Sequence, residues 1–296
     1  MLICITFVEI YSGVQMDYNK LNSKEKNIIL EKGTEPAFSG KFNTFNKRGI
    51  YTCKRCDAPL YNSDDKFVSS CGWPSFDDEI ADAIKKTIDA DGVRTEITCA
   101  NCGAHLGHIF TGEHYTAKNI RHCVNSLSMN FIPNEIIDTV IFAGGCFWGT
   151  EYKFSKVNGV IFTEVGYTGG DKENPNYIEV STSRTGHAEC VQVTYNSSVV
   201  SFEELAKLFF ETHDFTQIDR QGPDIGNQYR SEIFVNNNTE REIAEKLINI
   251  LEQKNYKVAT QISKTERFWK AEKYHQKYFD NRGETPTFHS YKKIFK

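Results

Sequence analysis

Thr139-Val140-Ile141-Phe142-Ala143-Gly144-Gly145-Cys146-Phe147-Trp148-Gly149 is the stretch on which the fold of the second half turns. The first five residues read as a buried strand, two glycines break it, and Gly149 onward reads as the start of a helix. The turn sets one cysteine between residues that let the backbone come close and two rings that offer an apolar slot for a small uncharged group. Unpaired amides at a helix N-terminus favour thiolate over thiol, so this position predicts a lowered pKa for Cys146.

Toward the C-terminus the same alternation continues. Val191-Gln192-Val193-Thr194-Tyr195 alternates as a strand, and Ser201 with Glu204 forms a capping box ahead of Leu205, Leu208 and Phe209. Thr239 with Glu242 repeats that signal. Helices are predicted at about 202–212, 240–254 and 266–280, with a strand near 231–235. The second half is therefore α/β or α+β.

Toward the N-terminus the character changes between Pro133 and Asp138, a segment too short and too poor in Gly and Ser to be a free tether. The predicted divisions are an N-terminal extension 1–17, a first domain 18–133, a short linker 134–137 and a second domain 138–296. Short strand-like runs make the first domain mostly β. Asp91-Gly92 suits a hairpin turn between 85–89 and 93–98, although Ile80, Ile84 and Ile88 also fit one helix face.

A chain of 296 residues with 39% hydrophobic and 25% charged residues is globular and long enough for two cores. Its net charge of −4 gives no bulk attraction to nucleic acid or to an acidic membrane. The apolar start Met1 to Ile10 is interrupted by Glu9, lacks basic residues and is too short to span a bilayer, while Met16 offers an alternative start. Nine cysteines grouped in motifs predict metal and redox chemistry in a reducing compartment, the cytoplasm by default.

Cys53-Lys54-Arg55-Cys56 and Cys99-Ala100-Asn101-Cys102 form two knuckles able to give four thiolates to one tetrahedral zinc per chain. The 42 residues between Cys56 and Cys99 exceed a compact ribbon spacing, so a folded domain must bring the knuckles together. The alternative is that one pair is a redox dithiol. Four thiolates fill the zinc shell, which makes such a site structural and leaves the chemistry to other cysteines. Cys123 stands out among them, because Arg121 lies two residues away on the same side of a strand and carries a permanent charge able to stabilise a thiolate. Asn125 continues that face.

Several ordered motifs now coincide. Cys71-Gly72-Trp73-Pro74-Ser75-Phe76, Gly103-Ala104-His105-Leu106-Gly107-His108-Ile109-Phe110 and Arg121-His122-Cys123-Val124-Asn125-Ser126 resemble the methionine sulfoxide reductase B family. Gly144 to Gly149, Gly166-Tyr167-Thr168-Gly169-Gly170, Thr185-Gly186-His187-Ala188-Glu189 and Tyr274-His275-Gln276-Lys277-Tyr278 resemble the methionine sulfoxide reductase A family. The resemblance implies a mostly β, zinc-containing domain followed by an α/β domain, an α+β sandwich of ferredoxin-like type. It implies reduction of methionine sulfoxide in proteins or peptides, one epimer per domain, recycled by thioredoxin or another dithiol, with no role for nucleic acid or membrane.

For the first domain the resemblance makes Cys123 the nucleophile, His108 the leading acid/base, and His105, Arg121 and Asn125 members of the same site. Trp73 would meet the substrate methyl group with Phe110 nearby, and Cys71 would resolve the Cys123 sulfenic acid as a disulfide. For the second it makes Cys146 the nucleophile, Phe147 and Trp148 the methyl pocket, and Glu189 the acid. Tyr177 and Tyr229 would hydrogen-bond the sulfoxide oxygen, and Asp224 would be a further site residue. A carboxylic acid such as Glu189 can donate a proton near neutrality only if burial raises its pKa.

One departure stands out: no cysteine follows Cys190, whereas many A-type reductases carry a resolving cysteine near the C-terminus. In a strand, Cys190 and Glu189 point to opposite faces, so an external thiol is the expected resolver, ahead of Cys190, Cys4 or the other domain. The rival readings are a zinc-ribbon binding module fused to an unrelated enzyme, and a thiol peroxidase or disulfide oxidoreductase.

Overall fold

The computed structural model describes residues 18–287 and 289–295. The expectations for the apolar start, Cys4 and Met16 lie outside the described residues. The chain divides into two compact units, with Phe131 in the first and Ile132 in the second.

The first unit opens with α1 (Ser23–Ile29), whose N-terminus is closed by a capping box between Asn22 and Glu25. Nine strands follow: β1 (Gly49–Cys53), β2 (Pro59–Asn62), β3 (Lys66–Phe67), β4 (Ser75–Phe76), β5 (Ile84–Ile88), β6 (Thr95–Cys99), β7 (His105–Thr111), β8 (Ile120–Val124) and β9 (Met129–Pro133). They form a three-stranded sheet β2-β1-β9 and a six-stranded sheet β3-β4-β8-β7-β6-β5. Tyr51, Leu60, Tyr61, Phe76, Ile97 and Val124 are fully buried, and Tyr61 stacks on Phe76 at 4.3 Å. Asp91 and Gly92 do turn a hairpin, since β5 pairs antiparallel with β6. Ile84 and Ile88 lie on a strand, so the alternative helix face is not used.

The second unit begins with a short turn at Asn134–Ile136 and then β10 (Ile137–Gly144) and α2 (Phe147–Ser155), the strand, turn and helix read from the opening stretch. It continues through β11 (Val160–Thr168), α3 (Tyr177–Ser181), β12 (Ala188–Asn196), α4 (Phe202–Thr212), β13 (Arg220–Gln221), β14 (Asp224–Ile225), β15 (Ser231–Val235), α5 (Asn238–Gln253), β16 (Gln261–Lys264), β17 (Trp269–Lys270) and α6 (Tyr278–Arg282). The six-stranded sheet runs β16-β15-β10-β12-β11-β17 and is antiparallel apart from the β15–β16 pair. One face packs α2, α4 and α5 through a core in which Phe142 stacks on Phe154 and Phe209, at 4.8 and 5.1 Å. The other face carries a small cluster of Ile141, Ala143, Ala188, Cys190 and Phe234.

Two helix expectations need correction. α5 is capped by Asn237, whose side chain accepts from the Glu240 amide, so the cap lies two residues before Thr239. A helix at 266–280 does not form. Trp269 and Lys270 instead pair with β11, and the Gln276 side chain bonds both the amide and the carbonyl of Val165, which pins this segment to the sheet edge.

Candidate active sites and metal cluster

The two knuckles meet because β1 and β6 end side by side. Each closes on a positive-φ residue directly after its second cysteine, Asp57 at 56° and Gly103 at 72°. The four Sγ atoms of Cys53, Cys56, Cys99 and Cys102 lie within 4.8 Å of one another. The Cys53–Cys102 and Cys56–Cys99 separations are 3.6 and 3.7 Å, close to the edge of about 3.8 Å that a tetrahedron with zinc–sulfur bonds of about 2.3 Å requires. The donor set therefore fits a tetrahedral thiophilic ion. It offers no dithiol for redox turnover once the ion is held.

Cys123 lies in β8, paired with Ser75 of β4 on one side and His108 of β7 on the other. Cys71, in the loop before β4, brings its sulfur to 3.8 Å from that of Cys123. The hydrogen bond between the sulfurs draws Cys71 down to about 4, opposed by burial and helped by the Ser69 hydroxyl at 3.0 Å. The same bond, with burial, pushes Cys123 up, and Arg121 pulls it back. The two thiols lie close enough that their titration belongs to the pair rather than to either residue.

Arg121 is buried, held bidentate by Glu113 at 2.7 and 2.9 Å, and lies 4.5 Å over the Phe110 ring. Gly107 lets β7 pass the Cys123 carbonyl: its φ is 154°, and a Cβ there would overlap that oxygen. Trp73 is steered by its indole N–H, which donates to the Glu35 carbonyl at 3.0 Å.

Other expected members are engaged elsewhere. His105 is buried against Glu96 at 2.7 Å, with Lys32 on the other carboxylate oxygen. His108 bonds Asp89 at 2.6 Å through Nε2. Asn125 follows β8 and braces backbone, accepting from the Glu35 amide and donating to the Leu106 carbonyl.

In the second unit Cys146 is the N-cap residue of α2. Gly145 (φ 89°) lies against Gln221, whose Cβ and Cγ stand 2.5 Å from where its own Cβ would be, so only glycine fits that turn. Glu189, on the helix-covered face of β12, is 2% exposed and its Oε2 accepts the Phe147 amide at 3.2 Å. Burial drives its carboxyl up to about 8, against the pull of that amide. Against the expectation of a lowered pKa, burial and then the Glu189 charge push Cys146 up to about 12, and the Trp148 and Gly149 amides only partly offset them. Helix-end polarity loses to desolvation here.

Tyr177 and Tyr229 are half-buried, and burial followed by the Glu189 charge raises both. Asp224 acts on Cys146 and Glu189 through its charge. Phe147 is buried, whereas Trp148 is partly exposed and stacks on Tyr278 at 3.7 Å. Sequence reasoning missed the roles of His275 and Tyr278, although both lie in a quoted motif, and it missed Glu272, which accepts from the Tyr167 hydroxyl and the Tyr177 amide. Cys190 is fully buried on the opposite sheet face, its Sγ 3.3 Å from the Gly166 carbonyl.

Comparison with known proteins gives two family matches. A peptide methionine sulfoxide reductase model matches residues 138–295, and a SelR domain model matches residues 21–133. The chain is 44% identical over 151 residues to the peptide methionine sulfoxide reductase MsrA of Saccharolobus solfataricus, covering 51% of this chain and 85% of that protein. It is 49% identical over 148 residues to MsrA 1 of Rhodopirellula baltica, covering 50% and 76%. Among solved structures, reduced Mxr1 from Saccharomyces cerevisiae superposes with a TM-score of 0.50 at 32% identity, over 53% of this chain and 93% of that one.

Proposed function

Because the chain belongs to the peptide methionine sulfoxide reductase family and carries a SelR domain ahead of that region, we propose that its two thiol sites divide the work by epimer, each through its own cysteine. Both methionine sulfoxide reductase activities reside on the chain. Sulfoxide sulfur is chiral, so oxygen, methyl and lone pair must be met in a different order for each epimer. We assign residues 18–133 to the R epimer, 138–296 to the S epimer, and 134–137 to the join.

In the first domain Cys123 attacks the sulfoxide sulfur as its oxygen takes a proton; that hydroxyl then passes to the Cys123 sulfur as the new S–S bond breaks, so methionine leaves and Cys123 becomes a sulfenic acid. His108, beside Cys123 in the ladder, is the proton carrier, with His105 behind it; Arg121 holds the negative charge. Trp73 and Phe110 supply apolar wall, and Asn125 fixes the loop that follows β8. Cys71 then attacks the Cys123 sulfur, water departs and a disulfide remains. Its 3.8 Å approach supports that step.

In the second domain Glu189 is the proton donor. A carboxyl near 8 is mostly protonated at neutral pH and so able to polarise the sulfoxide oxygen together with Tyr177 and Tyr229. Phe147 and Trp148 receive the methyl group, and Asp224 completes the polar rim. As Cys146 attacks the sulfoxide sulfur, its thiol proton passes to Glu189 while Glu189 gives its own to the sulfoxide oxygen; the hydroxyl then moves to the Cys146 sulfur as the new S–S bond breaks and methionine leaves. The Cys146 sulfenic acid passes to an external thiol.

Each cycle needs two electrons, which points to thioredoxin or another dithiol and to a reducing compartment such as the cytoplasm. One structural zinc on Cys53, Cys56, Cys99 and Cys102 would brace the first domain. No described helix is long and apolar enough to cross a membrane. Substrates are methionine sulfoxide residues of peptides and proteins.

The observation that carries the assignment is that each half sets its own cysteine with a separate polar group, Arg121 two residues from Cys123 on β8 and Glu189 accepting the amide of Phe147 next to Cys146. Cys123→Ser should abolish reduction of the R epimer alone, and Cys146→Ser that of the S epimer alone, measured with resolved epimers of a peptide substrate. Loss of both activities from either change would refute separate sites, and rapid peroxide turnover without epimer selectivity would favour a thiol peroxidase.

A further inference from the structure

His275 sits at the centre of the aromatic wall beside Cys146 and has no part in the chemistry described so far. It is 1% exposed. Its ring centroid lies 4.5 Å from that of Tyr177, 5.1 Å from Phe147 and 5.6 Å from Trp148. The Trp148 indole N–H donates to its Nδ1 at 3.0 Å. Nε2 is buried without a hydrogen-bond partner among the described residues.

That last fact is informative. A phenylalanine of similar size would fill the same space and leave no buried polar atom unsatisfied, which normally costs stability. Histidine is worth that cost only if the acceptor at Nδ1 is needed, and its one user is Trp148. We propose that His275 is a positioning residue that locks the Trp148 indole into the wall of the S-epimer pocket, acting on substrate binding through Trp148 rather than on the reacting atoms. Trp148 has no other fixed tether of this kind: its far face lies on Tyr278, stacked at an interplanar angle of 4°, and stacking alone allows the ring to slide in its plane. A hydrogen bond at the indole edge removes that freedom. Accepting at Nδ1 requires the neutral Nε2–H tautomer, and burial lowers the His275 pKa, which keeps the ring neutral at pH 7. The ring is itself held in place because the next residue, Gln276, is bonded to both the amide and the carbonyl of Val165.

The inference rests on the reading that Trp148 lines the methyl pocket, and the experiment separates the two. S-epimer kinetics would be measured on the full chain for His275→Phe, His275→Asn, Trp148→Phe and the double variant His275→Phe/Trp148→Phe. A wall that contacts ground and transition states alike affects KM and spares kcat. His275→Phe should raise KM about tenfold with kcat within about twofold. His275→Asn, whose Oδ1 stands where Nδ1 was, should restore most of the loss. In the Trp148→Phe background, which has no indole N–H, His275→Phe should add nothing further. Additive effects of the two changes, no rescue by asparagine, or a loss confined to kcat would overturn the positioning role. An unchanged KM in Trp148→Phe would instead sink the pocket reading. A misfolded His275→Phe loses kcat as well, and the asparagine variant then decides.

Discussion

The first unit sets Cys123 3.8 Å from a second thiol, whereas the second unit sets Cys146 at a helix end with its chain neighbour cysteine on the far side of a sheet. Both sulfurs are buried enough to make a thiolate costly, and each site answers differently. Cys71 and Arg121 set a donor and a charge beside Cys123, and Ser69 supports Cys71, whose thiol is drawn down to about 4. Around Cys146 the charge with the largest influence belongs to Glu189, itself an acid that burial pushes up to about 8. The lesson is that one sulfoxide chemistry tolerates opposite electrostatic starting points, provided that the proton and the negative charge end on the right atoms.

The largest test of this contrast is the metal. Zinc bound by four thiolates is coupled to folding, with apparent binding free energies of about 10–16 kcal/mol in small zinc domains. A strong chelator, or Cys99→Ser, should therefore unfold the first domain and remove R-epimer reduction. S-epimer reduction should stay within about twofold, because the second unit has its own core and takes no ligand from the cluster. Paired assays of the two epimers with zinc release followed by a chromogenic chelator would check this. Loss of S-epimer activity in step with zinc would show that the sites are not independent.

The next test concerns protons. Glu189 must be protonated to donate, and its raised pKa places the loss of the acid form near 8. S-epimer kcat/KM should accordingly fall as pH rises through about 8, since that ratio reports the free protein's essential acid. Glu189→Gln should lower it about 100-fold and remove that limb. R-epimer kcat/KM does not depend on Glu189 and should be unchanged by Glu189→Gln. An S-epimer profile that stays level well above that value would contradict the assignment.

How far the sequence led differs between the halves for physical reasons. The opening stretch carried its own strand, breaker and helix signals, so β10, the glycine turn and α2 emerged from local pattern alone. The metal knuckles were legible because four thiols at two tight spacings leave little else to do. The region 266–280 was not, since what decides it is pairing with β11 and the grip of Gln276 on Val165, the latter 111 residues apart in sequence. The balance at Cys146 was hidden in the same way: the helix end is local, but the burial and the Glu189 carboxylate that oppose it come from distant chain. His105 and His108 were seen as residue types, while their partners Glu96 and Asp89 come from β6 and from the turn after β5.

The smallest expected effect is the one that separates the two exits of the oxidised sulfur. After one turnover with the R epimer, mass spectrometry should find a Cys71–Cys123 disulfide, because Cys71 needs to move less than 2 Å to reach a bond length of about 2.05 Å. Cys71→Ser should slow steady-state R-epimer reduction with a dithiol reductant on the order of tenfold, the advantage of an intramolecular thiol over one from solution. It should leave the first turnover unchanged. After one turnover with the S epimer, Cys146 should remain a sulfenic acid that a dimedone-type trap captures, and Cys190→Ser should leave the steady-state rate unaltered. Cys190 is fully buried, its thiol faces the Gly166 carbonyl, and burial holds it far above the thiolate range. To reach Cys146 it would have to cross the sheet, breaking the β11–β12 pairing that aligns Gly166 with Cys190 and Tyr167 with Glu189. A Cys146–Cys190 disulfide in good yield would therefore mean that this strand opens during turnover, and the contrast between a tethered and an external resolving thiol would fall with it.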